Sequence, residues 1–351
     1  MAEERKEESL ISAPSLSAAV PNRSESRILP SLGILLVAGG LFLIGWFLYL
    51  WFKPLPPPYF YQLVEEGNPS TFSNLHFEAW PDLRISKYEL RVPSLDKPVA
   101  VAYRAIDQNG APILLSLENL VSEPIGGMAG NLSELTSLAT DIATYVPKDA
   151  IILGWWDTSR QLKLLSGRET LFTSYLGQPL MVPSYWKDRS EAINQYERQF
   201  WGAEGSAEEQ RKFNIFADAL SSEASKGVEM LSSLVGSREA YIIVHAADLY
   251  KLALMRPDRI DMAFKDFPLT GNVHGLAGQV KAWMKENGYD TYTLESVSEK
   301  AVRAYFLNQS KNGKVLLAHM LPLMNSTPVD FQALQVVHKQ GGYWIFRIPS
   351  A

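Results

Sequence analysis

From Ser31 to Phe52 the chain reads SLGILLVAGGLFLIGWFLYLWF, with no charged side chain. A hydrocarbon core about 30 Å thick takes roughly 20 helical residues, because backbone groups in lipid must satisfy one another. This run is long enough. Trp46, Tyr49 and Trp51 crowd its C-terminal end, where amphipathic rings settle at headgroup depth. A cleaved signal peptide has a shorter apolar region, about 7–15 residues, closed by small residues. Here the run closes in Tyr49-Leu50-Trp51-Phe52-Lys53-Pro54, so the expectation is an uncleaved single-pass anchor.

Arg5, Lys6, Arg23 and Arg27 precede the run, and only Lys53 follows it before Arg84. The positive-inside rule then places the N-terminus in the cytoplasm and the large domain outside, in the periplasm of an inner membrane. Four basic and five acidic residues precede the run, leaving 29 Lys and Arg against 33 Asp and Glu beyond it. No basic field of the kind nucleic acid requires is present. The chain has no cysteine, which excludes disulfides, CxxCH haem attachment, thiolate clusters and cysteine nucleophiles. No cofactor is expected.

Residues 1–27 are rich in Glu and Ser and read as a disordered cytoplasmic tail. Residues 28–52 form the membrane helix, and the prolines of 53–70 make a stiff spacer. Short alternating runs over 71–120, with Asp107-Gln108-Asn109-Gly110 as a turn, predict a small β-rich subdomain. Pro124–Gly130 reads as a linker. Over 131–351 the pattern becomes α/β, a mixed sheet with helices. Leu135, Leu138, Ile142 and Tyr145 share a helical face that Pro147 ends, and Ile151-Ile152-Leu153 is a short buried strand. A second such strand is Tyr241-Ile242-Ile243-Val244. Helices are expected near 188–201 and 207–222, and from Val273 to a Gly288 cap. Strands follow near Thr291–Leu294 and Ala301–Phe306, then a hairpin from Phe331–Val337 through Gly341-Gly342 to Tyr343–Ile348.

Open α/β sheets collect ligands outside the carboxyl ends of their strands. Two apolar strands end in Trp155-Trp156-Asp157 and in His245 with Asp248. If they are parallel neighbours, these groups share one rim with Arg160 and Arg168 nearby. Flat rings and a carboxylate suit a peptide or sugar; equally, the Trp pair plugs the sheet and Asp157 caps the next helix. His245 and Asp248 stand either as a base with its orienter or as a buried histidine and a helix cap. The five histidines show no metal-ligand spacing, and GxSxG, GxxxxGK[ST] and dinucleotide motifs are absent. Tyr185, Trp186, Tyr196, Phe200 and Trp201 suit an interaction surface or a helix–sheet core equally well.

Two resemblances follow. Val146 to Asp157, with Leu165 to Leu171, resembles the start of the soluble domain of oligosaccharyltransferase catalytic subunits. There a WWD motif contacts the hydroxyl-bearing residue of the acceptor peptide. That likeness implies a peptide- or glycan-contacting role for Trp155, Trp156 and Asp157. Transfer activity is not implied, because that family's transfer machinery lies in about a dozen membrane helices. The whole layout, a single span and a cysteine-free domain carrying Gly154-Trp155-Trp156-Asp157, is similar to the hydroxylamine oxidation protein HaoB family. This resemblance implies a non-catalytic, membrane-anchored accessory of hydroxylamine oxidation in nitrification, with periplasmic proteins such as multihaem cytochromes as partners. An enzyme working through His245 and Asp248 is the remaining alternative.

Overall fold

The computed structural model describes residues 28–53, 55–128, 130–202, 205–269, 273–298, 300–324 and 333–349. The expected tail over 1–27 lies outside the described residues, as do residues 331–332 of the expected hairpin. The chain divides into two units, Met1–Pro54 and Leu55–Ala351.

In the first unit, α1 (Ile28–Phe52) is helical throughout. Its stretch Ser31–Phe52 is long and apolar enough to cross a membrane, and none of it is buried against protein.

The second unit opens with β1 (Phe60–Gly67), β2 (Ile85–Arg91), β3 (Ala100–Ile106) and β4 (Pro112–Asn119). They form an antiparallel meander in that order. β1 lies inside the stretch expected to be spacer. It is an edge strand exposed on both faces, so it lacks the alternation that marks a half-buried strand. Next come α2 (Leu132–Tyr145), β5 (Ile151–Leu153), α3 (Trp156–Ser166) and β6 (Glu169–Thr170). Asn131 caps α2 by accepting from the Ser133 N–H, and Gly167 ends α3 at φ +67°, a left-handed conformation that glycine adopts without strain.

Three helices follow: α4 (Ser190–Trp201), α5 (Ala207–Leu220) and α6 (Ala224–Val235). Then come β7 (Ala240–His245), α7 (Asp248–Met255), β8 (Met262–Pro268), α8 (Val273–Glu286), β9 (Thr291–Ser298) and β10 (Ala301–Leu307). The chain closes with α9 (Gln309–Asn312), α10 (Leu316–Met320), β11 (Gln335–Gln340) and β12 (Tyr343–Ile348).

The central sheet has the order β11-β12-β7-β5-β6. β5 runs parallel to both β6 and β7, whereas β12 is antiparallel to β7 and β11. The sheet is thus mixed, with helices on both faces. Side chains alternate as a pleat requires: Ile151, Leu153, Ile242 and Val244 face α5, α6 and α10 through Phe213, Phe216, Leu231 and Leu316. Ile152, Ile243 and Ile345 face α2 and α3 through Leu138, Ile142, Leu162 and Leu165, with Ile85 and Leu115 of the meander behind them. A smaller sheet, β8-β10-β9, carries α8 on its own core.

Candidate functional site

The helix after β5 packs on one face of the central sheet and the helix after β7 on the other: Leu162 and Leu165 of α3 join one core, Leu249 and Leu252 of α7 the other. β5 and β7 are parallel neighbours, so a crevice opens outside their carboxyl ends. Trp155, Trp156 and Asp157 enter it from β5, and His245 with Asp248 from β7. The two indoles divide their work. Trp155 is 1% exposed and meets Phe213 edge-on with ring centres 5.3 Å apart. Trp156 is half-buried against Tyr175, 4.9 Å away. Both indole N–H groups donate to the Gln178 carbonyl, at 3.2 and 2.6 Å, pinning the 177–181 loop across the strand ends.

Asp157 is not the helix cap; Trp155 occupies that position and Asp157 lies in the first turn of α3. Its carboxylate accepts from Lys251 Nζ at 3.1 and 2.9 Å and from the Thr158 N–H at 2.7 Å. Lys251 also stands 3.5 Å from Asp248 Oδ1, while Asp248 Oδ2 accepts the His245 N–H at 2.9 Å. Burial pulls Lys251 down, but the two carboxylates outweigh it and hold the ammonium above its ordinary value. The ammonium therefore stays charged between two acids from different helices, Asp157 of α3 and Asp248 of α7. Burial pushes Asp248 up.

His245 is sealed in. Its Nδ1 accepts the Ala247 N–H at 3.2 Å, and the Tyr343 ring centre is 4.5 Å away. A Cβ on Gly342 would stand 2.5 Å from Nε2, so only glycine fits there. Among the described residues Nε2 has no hydrogen-bond partner, and it lies 3.7 Å from Glu295 Oε1. Burial lowers the imidazole to about 4, so it is neutral at pH 7.

Of the remaining rim residues, Arg160 is buried with Nη2 donating to the Pro112 carbonyl at 2.6 Å. Its neighbour Gln161 donates to the Leu114 and Leu115 carbonyls, so the pair fixes α3 to β4. Arg168 is not at the rim. It precedes β6, at the amino end of the parallel strands, and its guanidinium binds the Val146 and Ala143 carbonyls. Gly126, Gly127 and Gly130, within the expected linker, line the same cavity as Trp155 to Asp157, Arg160, Lys251 and Tyr343. That cavity holds about 60 Å³. Small-molecule sites usually measure about 300–1,000 Å³, so it admits a few waters but not a sugar ring.

The cavity's far wall carries Glu197 of α4, which sequence reasoning passed over. Tyr59 OH donates to Glu197 Oε1 at 2.5 Å, and Tyr61 OH at 2.9 Å. Tyr196, Phe200 and Trp201 pack round the two tyrosines as core rather than surface, while Tyr185 remains 59% exposed.

Among known families, one described as HaoA-associated protein HaoB matches residues 25–348. The chain belongs to the HaoB family. Among solved structures, this HaoB-family chain is similar to the C. jejuni PglB C-terminal domain. The identity is 12%, covering 61% of this chain and 99% of that one, with a TM-score of 0.35. No curated protein matches it.

In this HaoB-family domain the Glu197 carboxyl makes a pH prediction. Burial raises it from 4.5 to about 7, against the pull of the Tyr59 and Tyr61 hydroxyls. The folded state therefore binds the extra proton. Its stabilising effect is complete below pH 4.5 and is lost as pH rises through about 7, a change of roughly 3 kcal/mol. Glu197→Gln keeps an acceptor without the titration. Denaturant melts should show the wild type losing stability relative to the variant between pH 5 and 8. Parallel pH profiles for the two would contradict the assignment.

Proposed function

We propose that this protein is a membrane-anchored accessory of hydroxylamine oxidation that binds HaoA, the hydroxylamine oxidoreductase, and performs no chemistry itself. The observation that carries this reading is the family match, which extends over both the apolar helix and the domain. The helix is the anchor, with the N-terminus in the cytoplasm and Leu55–Ala351 in the periplasm. Multihaem cytochromes of hydroxylamine oxidation are its neighbours there.

The site supports an accessory more than an enzyme. A general base works best with a pKa near the working pH, and His245 sits at about 4 behind Tyr343 and Gly342. Asp248 is committed to a backbone N–H and to Lys251. Trp156 and Asp157, the half-buried members of the rim, are the groups proposed to touch a partner.

Crosslinking in native membranes followed by mass spectrometry tests the partner. HaoA is the expected product, and recovery of glycan-transfer components in its place would overturn the reading. A periplasm-only reporter fused after Ala351 should be active; a signal from a cytoplasm-only reporter at that position would reverse the topology.

A further inference from the structure

One end of the β1–β4 meander is apolar where it should be polar. The register places Phe60 opposite Arg91, Leu90 opposite Ala100, and Ala100 opposite Asn119. The start of β1, the β2–β3 loop and the segment after β4 therefore lie at the same end of the sheet. Leu120 stays there, its N–H donating to the Val99 carbonyl. At this end Phe60, Leu95, Leu120 and Val121 are exposed, Leu95 to 52% and Leu120 to 49%. Exposed Tyr185 joins them, since its ring lies 5.1 Å from Trp186, which in turn lies 5.6 Å from Tyr59. At the opposite end, among the described residues, the turn Asp107–Gly110 is polar and Ile106 is the one exposed large apolar side chain.

The covalent chain enters the sheet at this apolar end. Only Lys53–Tyr59 separates β1 from the end of the apolar run, and that stretch reaches at most ~25 Å when fully extended. Contiguous exposed apolar groups with a polar rim mark interaction surfaces, and aromatic and aliphatic side chains of this kind settle in the headgroup zone. We infer that the end of the meander carrying Phe60, Leu95, Leu120, Val121 and Tyr185 rests in the interfacial zone of the bilayer. Exposed Lys97 and Lys187 are outnumbered by Asp96, Glu123 and Asp188 around it, so adhesion comes from apolar contact rather than from attraction to anionic lipid.

This inference rests on the anchor reading, and one experiment separates the two. The chain lacks cysteine, so single cysteines at Phe47, Leu95, Leu120 and Asn109 can each carry an environment-sensitive fluorophore. The full chain is reconstituted in phosphatidylcholine vesicles containing doxyl-labelled phosphatidylcholine as quencher. Quenching is expected at Phe47, Leu95 and Leu120, several-fold stronger than at Asn109. Quenching at Phe47, with Leu95 and Leu120 behaving like Asn109, overturns the inference and leaves the anchor standing. Absence of quenching at Phe47 overturns both.

Discussion

Replacing Lys251 with Met is expected to destabilise the Leu55–Ala351 unit by about 3–5 kcal/mol, because it leaves buried Asp248 and half-buried Asp157 without their counter-charge. The Lys251 side chain is 7% exposed and that of Asp248 is 4% exposed, so water cannot take the place of the missing ammonium. Asp157→Asn should cost less, since Lys251 keeps Asp248 at 3.5 Å. The double variant Asp157→Asn with Lys251→Met should cost less than the two single changes added together, as a coupled pair requires. Denaturant melts of the four proteins measure this directly. A loss under about 1 kcal/mol for Lys251→Met would show that the pair behaves like a solvent-exposed one. The same series tests whether the Asp157 carboxylate acts within the domain as well as toward a partner. Its charge is already used inside the domain, so removing it should change stability whether or not a partner is bound.

Trp155→Ala is expected to cost a similar amount, about 3–5 kcal/mol, because it empties a close-packed site against Phe213 and Phe216 and removes one donor to Gln178. Trp156→Ala should cost clearly less. Its ring is half-buried and touches Tyr175 at the cavity wall, and the Gln178 carbonyl retains the Trp155 donor. Thermal and denaturant melts of the two variants side by side should separate them. Equal losses would mean that both rings are core and that the rim offers a partner no replaceable surface.

Much of this site can be read from the sequence. The runs Ile151–Leu153 and Tyr241–Val244 have no polar interruption, which is how strands buried on both faces read, and each ends in polar or aromatic groups. The two strands prove to be parallel neighbours, and Trp155 to Asp157 and His245 with Asp248 are brought together at their carboxyl ends. What was not legible depends on long-range pairing. Lys251 sits on a short amphipathic helix, where a lysine ordinarily reads as solvated; its only local signal is Asp248 three residues earlier. Glu197 hides in the same way among the Glu, Gln and Arg of α4, and its tyrosine partners lie 138 and 136 residues earlier in the chain. Arg168 looked close to the rim in sequence, but α3 carries the chain back along the sheet and delivers it to the far end of the strands. β1 is not legible in the sequence because it is an exposed edge next to a proline run.

The proposed role depends on association with HaoA. Its most direct test is binding of purified HaoA to the purified full chain, reconstituted in nanodiscs and measured by surface-immobilised titration. Saturable binding, weakened by Trp156→Ala in a variant that melts near the wild-type temperature, is the predicted result. Two folded proteins that show no saturable binding at any tested concentration would contradict it.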